Sequence, residues 1–269
     1  MDLGLSGKRA LVTGGSRGVG KAVARGLARE GVAVAICARD GNAAEAAAAE
    51  LSAQTAQNSG RVIAFRADTG KEADVKRLVA DAADALGGLD ILVNNAARVG
   101  GTGGPDTLAE LNEPMLLDDF NVKVLGYLRC AREAARHMEP GGWGRIVNID
   151  GMAARVAAGV SGGMRNAAVV NFTKVLSEEL GPKGITVNAV HPGGTRTERL
   201  AERLQASAER RGITLAEAEA AMAQQNAIRR IVSAEEIASV VAFLCSEQGG
   251  CITGEAISAS GGSTKAVFY

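Results

Sequence analysis

Short aliphatic and β-branched runs alternate along this chain with longer alanine-rich stretches that carry scattered charges. Ala10–Thr13, Val32–Cys37, Arg61–Ala67 and Leu89–Val93 are mostly apolar runs too short for helices, the pattern of strands buried on both faces. Gly144–Ile149, Gly184–Val190 and Cys251–Ser258 extend the series. Between them the spacing predicts helices over Lys21–Glu30, Ala43–Ala56, Lys71–Leu86, Leu116–Met138, Asn166–Leu180 and Ala234–Leu244, with Gly31 and Gly87-Gly88 as stops. Gly100–Gly104 reads as a loop. Strands alternating with helices imply right-handed crossovers onto one parallel sheet, an α/β doubly wound architecture with helices on both faces. Segment 198–228 is polar, alanine-rich and helical in pattern, and reads as a flap over whatever site the sheet carries. No Pro/Ser linker or internal repeat interrupts the alternation, so residues 1–269 read as one domain.

Composition narrows the partners. Hydrophobic residues make up 46% of the chain and aromatics only 3%, so the core is expected to be Ala, Val, Leu and Ile. Thirty Lys and Arg are matched by 30 Asp and Glu, which leaves no electrostatic footprint for nucleic acid or an anionic membrane surface. Cys37, Cys130, Cys245 and Cys251 with 2 histidines do not form a zinc pattern, and no metal site is expected. Met1–Arg9 lacks the layout of an export signal, and no uncharged apolar stretch reaches the roughly 18 residues that span a bilayer. A cytoplasmic protein with reduced thiols is expected.

The first chemistry-bearing motif is Thr13-Gly-Gly-Ser-Arg-Gly-Val-Gly20, which follows the first strand and opens the first helix. In that setting Gly14, Ser16, Arg17, Gly18, Val19 and Gly20 let backbone amides and a helix N-terminus approach a dinucleotide diphosphate. An acid ending the second strand would bond a ribose 2′-hydroxyl. The chain instead has Cys37-Ala-Arg39, and a small residue followed by Arg suits a 2′-phosphate, with Arg17 able to share its charge. NADP(H) is therefore favoured over NAD(H), and Asp40 beside Arg39 keeps the second cofactor open.

Taken together, these segments resemble the short-chain dehydrogenase/reductase family and its Rossmann-like fold. Asp68, followed by Thr69, matches the family's adenine-contacting acid, and Asn94-Asn-Ala-Ala97 matches its Asn-Asn-Ala-Gly turn, with Ala97 in place of Gly. The resemblance assigns Asn95, Ala96 and Ala97 to the cofactor. It also assigns Pro192, Gly193, Thr195 and Thr197, in a segment that holds the nicotinamide carboxamide in the family. Ile252–Gly262 is similar to the family's last strand. The likeness implies hydride transfer to or from a carbonyl or alcohol carbon of a small molecule, in a homo-oligomer (tetramer or dimer).

The family's catalytic set does not carry over. Members use a Ser, a Tyr that is the acid/base, and a Lys four residues later that lowers the Tyr pKa and grips the ribose, aided by an Asn on the middle helix. Matching the flanking segments puts Gly151, Gly162, Asn166 and Lys123 at those positions. A one-residue shift pairs Ser161 with Arg165, restoring a hydroxyl and a cation, although a serine hydroxyl titrates far above a phenol. Lys123 and Asp150 are expected to form an ion pair lining the pocket, serving as proton relay, substrate anchor, or mere filling of the vacated space. Arg165 is a candidate anchor for an anionic substrate. His191 reads as a packed or surface side chain, His137 as a helix-end cation, and Arg229-Arg230 as a solvated patch or subunit contact. Tyr127 is expected to point away from the site, and Tyr269 to reach it only through its own tail or a neighbour's. The leading expectation is an NADP(H)-dependent oxidoreductase with an atypical active site. A non-catalytic dinucleotide-binding protein, and a non-redox dehydratase, cyclase or isomerase reusing the pocket, are the alternatives.

Overall fold

The computed structural model describes residues 2–55, 60–97, 112–157, 159–265 and 267. The apolar runs become β1 (Arg9–Thr13), β2 (Ala33–Ala38), β3 (Val62–Arg66), β4 (Ile91–Asn94), β5 (Gly144–Ile149) and β6 (Ile185–Pro192). Two short strands, β7 (Thr195–Arg196) and β8 (Val232–Ser233), precede the last, β9 (Ala256–Ala259). Seven of these form one parallel sheet in the order β3-β2-β1-β4-β5-β6-β9, while β7 and β8 pair with each other. Strand order reverses between β1 and β4, which opens a crevice at the strands' C-terminal ends, where α/β folds bind ligands.

The helices are α1 (Gly18–Arg29), α2 (Gly41–Thr55), α3 (Glu72–Leu86), α4 (Glu113–Phe120), α5 (Gly126–Met138), α6 (Val160–Leu180), α7 (Glu198–Arg211), α8 (Leu215–Gln224) and α9 (Ala234–Cys245). Successive strand residues face opposite sides of the sheet. Val12, Ile36 and Val93 therefore pack with Leu27 of α1 and Ile237 and Val241 of α9. Leu11, Leu92 and Ile146 pack on the other side with Leu78 of α3 and Met138 of α5. The cysteines are free, and burial pushes the thiols of Cys37 and Cys245 up to about 11 and about 12, which makes them packing residues.

Several expected boundaries move. The middle helix begins at Glu113, where the Asn112 side chain accepts the Met115 amide, and widens into a π-helical turn over Asn121–Leu125 before α5. Helix α6 starts at Val160, ahead of the expected Asn166, because packing on the turn Met152–Ala154 supports a first turn that carries two glycines of low helix propensity. Segment 198–228 is two helices separated at Gly212, the second opened by a Thr214–Glu217 capping box. The last strand is Ala256–Ala259, shorter than Cys251–Ser258. Ala56, Gly100–Gly104 and Tyr269 lie outside the described residues. Among the described residues, no helix is long and apolar enough to cross a membrane.

Candidate active site

Strand β1 runs into the glycine loop at Thr13, and the exit of β4 is stitched to it. The Thr13 hydroxyl accepts the amides of Asn95 (3.0 Å) and Ala96 (3.1 Å), while Asn95 Nδ2 donates to the carbonyls of Thr13 (3.1 Å) and Gly14 (2.9 Å). Gly14 and Gly18 hold φ of +65° and +57°, left-handed values that only glycine adopts without strain. A Cβ on Gly20 would sit inside contact distance of the Gly14 carbonyl oxygen and of Asn95 Nδ2, so the loop closes only around bare backbone. Arg17 caps α1 without a side-chain hydrogen bond, which leaves the first-turn amides open. A cradle no Cβ can enter, ending on open helix amides, fits a dinucleotide diphosphate.

Across the crevice, β6 ends in Pro192 and Gly193, and the Thr195 hydroxyl donates to the Gly193 carbonyl (3.1 Å). Thr197 caps α7 by accepting the Leu200 amide at 3.3 Å, and its methyl lies 3.5 Å from where a Cβ on Gly18 would stand. The structure therefore brings the glycine loop and the Pro192–Thr197 segment face to face. Helix α8 lies on the same segment, since a Cβ on Gly194 would overlap the Met222 methyl.

Past the end of β3, Asp68 accepts the Gly70 amide (3.0 Å), and Thr69 is buried against Gly126. Ser16 and Val19 are half-buried, while Arg17, Arg39 and Ala97 are exposed. Asp40 accepts the amides of Asn42 (3.0 Å) and Ala43 (3.3 Å), so its charge is turned to the start of α2. Arg39 is left as the charged side chain at the end of β2.

The π turn delivers Lys123 into the crevice, a use to which such turns are often put. Its ammonium lies 2.8 Å from Asn166 Oδ1 and 3.2 Å from Asp150 Oδ1. Asp150 Oδ2 in turn lies 3.4 Å from His191 Nδ1. The Lys123, Asp150 and His191 side chains are 5%, 0% and 0% exposed. Burial pulls the Lys123 ammonium below its ordinary 10.5, with the Asp150 carboxylate pulling the other way. The expected Lys123–Asp150 pair is thus present. His191, read as a bystander, adjoins it.

Gly151 and Asn166 are matched: a Cβ on Gly151 would stand 2.8 Å from Asn166 Nδ2, so a serine there requires that side chain to move. Gly162 is unconstrained, with Ala153 Cβ 3.8 Å from an added Cβ. Ser161 donates its hydroxyl to Asp119, which also pairs with Arg165. Arg165, the candidate anchor for a substrate anion, is thus paired with Asp119. Asp119, four residues before Lys123 on the same helical face, is the signal that sequence reasoning passed over.

Tyr127 donates its hydroxyl to the Ile149 carbonyl (2.9 Å), and burial raises its phenol well above the ordinary range, so it holds structure and not protons. Beneath the site, Asn94 Nδ2 donates to Asn148 Oδ1 (3.0 Å) and Asn148 Nδ2 to the Thr173 hydroxyl (2.9 Å), tying β4, β5 and α6 together. Arg229 and Arg230 are engaged by Gln224 and Glu236 respectively.

The family described as enoyl-(acyl carrier protein) reductase matches residues 14–264. The short-chain reductase protein NovJ of Streptomyces niveus is 36% identical over 257 residues, 94% of this chain and 92% of that protein. The chain belongs to the short-chain dehydrogenase/reductase family. Among other members of the short-chain dehydrogenase/reductase family, the NADPH-dependent reductase BacG of Bacillus subtilis is 32% identical, with 98% of this chain and 100% of that protein covered. The structure of L-sorbose reductase from Gluconobacter frateurii, complexed with NADPH and L-sorbose, matches with a TM-score of 0.92 at 30% identity, covering 99% and 100% of the two chains.

Proposed function

We propose that this protein is an NADP(H)-dependent oxidoreductase that interconverts a small carbonyl compound and its alcohol, with Lys123 in the proton-handling role. The observation that carries this reading is the buried ammonium of Lys123, held between Asp150 and Asn166. NADPH-dependent relatives and the exposed Arg39 and Arg17 support the 2′-phosphorylated cofactor. A nicotinamide cofactor, when bound, would supply the hydride for the carbonyl carbon.

The protein's own residues do the rest. The cradle Gly14–Gly20 receives the diphosphate, with Ser16 and Val19 on its rim. Asp68, Thr69, Asn95, Ala96 and Ala97 border the adenosine and ribose side, and Pro192, Gly193, Thr195 and Thr197 the nicotinamide side. As the carbonyl oxygen gains charge, the Lys123 ammonium donates one proton to it and is left as a neutral amine. Asp150 holds the ammonium in place, and its burial excludes water that would weaken the pair. Ser161, through Asp119, and Arg165 wall the pocket. Helices α7 and α8 serve as the flap of a single domain, a reading supported by Met222 over Gly194. A cytoplasmic homo-oligomer, tetramer or dimer, fits the open groove between α5 and α6 that exposes Leu125. Sedimentation equilibrium tests that state, and a monomer throughout refutes it.

The decisive assay follows nicotinamide absorbance with a panel of aldehydes and ketones, and NADPH consumption is expected. Binding without turnover would point to a dinucleotide-binding role, and product without a change in absorbance to non-redox chemistry. Arg39→Glu is expected to weaken NADPH by about ten- to a hundredfold while sparing NADH, the cost of one lost charge-assisted contact. Titration calorimetry with both nucleotides reads this, and equal weakening of the two removes Arg39 from the 2′-phosphate. Reduction needs Lys123 protonated. Its rate should therefore fall as pH rises through the Lys123 pKa, on a limb centred below 10.5, and Lys123→Arg should move that limb up or erase it.

A further inference from the structure

His191 has no task in the scheme above, and its surroundings do not suit a passive filler. It lies on β6 directly before Pro192. In the β5–β6 register Ile149 pairs with Val190, so the next residues, Asp150 and His191, are lateral neighbours at the C-terminal edge of the sheet. The imidazole is fully buried, with Nδ1 3.4 Å from Asp150 Oδ2, while the opposite oxygen of that carboxylate faces the Lys123 ammonium at 3.2 Å. Among the described residues, neither ring nitrogen nor either carboxylate oxygen has a hydrogen-bond partner, so Nδ1 and Oδ2 are two buried polar atoms in close approach with only each other to satisfy them. The result is a chain of polar groups, Asn166–Lys123–Asp150–His191, from α6 through the π turn to β5 and β6.

A carboxylate removed from water stays ionised only where protons are directed at it. One oxygen has Lys123. Among the described residues the other has only His191 close by, and only the tautomer with the proton on Nδ1 meets it with a donor. If that donor is lost, the carboxylate can drift from its place opposite Lys123, and burial then favours the neutral amine over the ammonium. The Arg165–Asp119 pair acts on Lys123 as well, with the Arg165 charge lowering its pKa and the Asp119 charge raising it.

We propose that His191 is a positioning residue that, by donating Nδ1–H to Asp150, keeps Lys123 charged and aimed for proton delivery. The proposal rests on the use of Lys123 given above. It resembles the way a hydrogen-bonded outer partner orients a reacting group elsewhere, where losing the partner typically costs about ten- to a hundredfold.

The test begins on unmodified protein without substrate. Nitrogen-15 NMR of the histidine rings should show His191 as the Nδ1–H tautomer, and an Nε2–H tautomer overturns the proposal outright. Selectively carbon-13-labelled lysine, assigned with Lys123→Met, should then show the Lys123 side-chain signal moving towards the free-amine position in His191→Phe. It should stay in place in His191→Asn, whose Nδ2 can replace Nδ1–H. In turnover, His191→Phe should lower kcat by about tenfold or more with KM for NADPH unchanged, and His191→Asn should recover most of it. Equal losses in the two variants, or no movement of the lysine signal, leave His191 a packing residue. If the wild-type protein reduces no carbonyl compound, the reductase reading fails on its own, while the tautomer and lysine signals still decide the role of His191.

Discussion

Asp150→Ala is expected to destabilise the folded chain by about 3–5 kcal/mol, the cost of leaving a buried charge without its counter-ion. The reasoning starts from burial: the Asp150 and Lys123 side chains are 0% and 5% exposed, so neither can fall back on water once the other is gone. The loss extends beyond the pair, because His191 Nδ1 then faces a void as well. Replacing both partners by apolar residues of similar volume, Lys123→Met with Asp150→Leu, should restore much of that stability, since a buried pair contributes little net energy over hydrophobic packing. Both variants should lack carbonyl reduction. Urea unfolding read alongside NADPH consumption separates the two effects. An Asp150→Ala protein within about 1 kcal/mol of wild type would mean that the pair is solvated like a surface ion pair, and the proton-handling role would lose its physical basis.

The second large effect is expected at Gly20. An added methyl would collide with the Gly14 carbonyl and with Asn95 Nδ2, and neither can yield freely. The carbonyl belongs to the cradle itself, and the Asn95 amide is pinned by bonds to Thr13 and Gly14. Overpacking of this kind costs about 1–3 kcal/mol. Because the strain is relieved by moving the amides that would face the diphosphate, Gly20→Ala should also weaken NADPH about ten- to a hundredfold. Gly141, with nothing within 4 Å of an added Cβ, is the control, and Gly141→Ala should leave both quantities unchanged. Calorimetry showing full-strength NADPH binding to Gly20→Ala would place the diphosphate elsewhere and remove the central assumption about the cofactor.

Much of this protein is legible in one dimension. The strands that carry the site are short and mostly apolar, the usual look of strands buried on both faces. The glycine loop is equally plain, because a backbone that must approach a diphosphate has to omit Cβ at set intervals along contiguous residues. The expectation that Lys123 meets Asp150 comes from the places the family resemblance gives them beside one pocket, and the structure sets the two 3.2 Å apart.

Other features depend on which elements the sheet sets side by side. That Gly151 is glycine because Asn166 Nδ2 stands 2.8 Å from its missing Cβ is invisible until β5 and α6 are packed. Asp119 is a surface acid by local pattern, and only the approach of α4 to α6 gives it Ser161 and Arg165. His191, flanked by Val190 and Pro192, looks like a spacer in the sequence. Its contact with Asp150 follows from the β5–β6 register, which no local signal encodes.

The order of residues alone thus determined the alternating layers, the bare-backbone cradle and the family, since each rests on periodicity or spacing within a few turns of chain. Tertiary structure alone decided which buried charges meet. Their energies depend on a few ångströms of separation in a water-free interior, and that separation is set by strand order, not by distance along the chain.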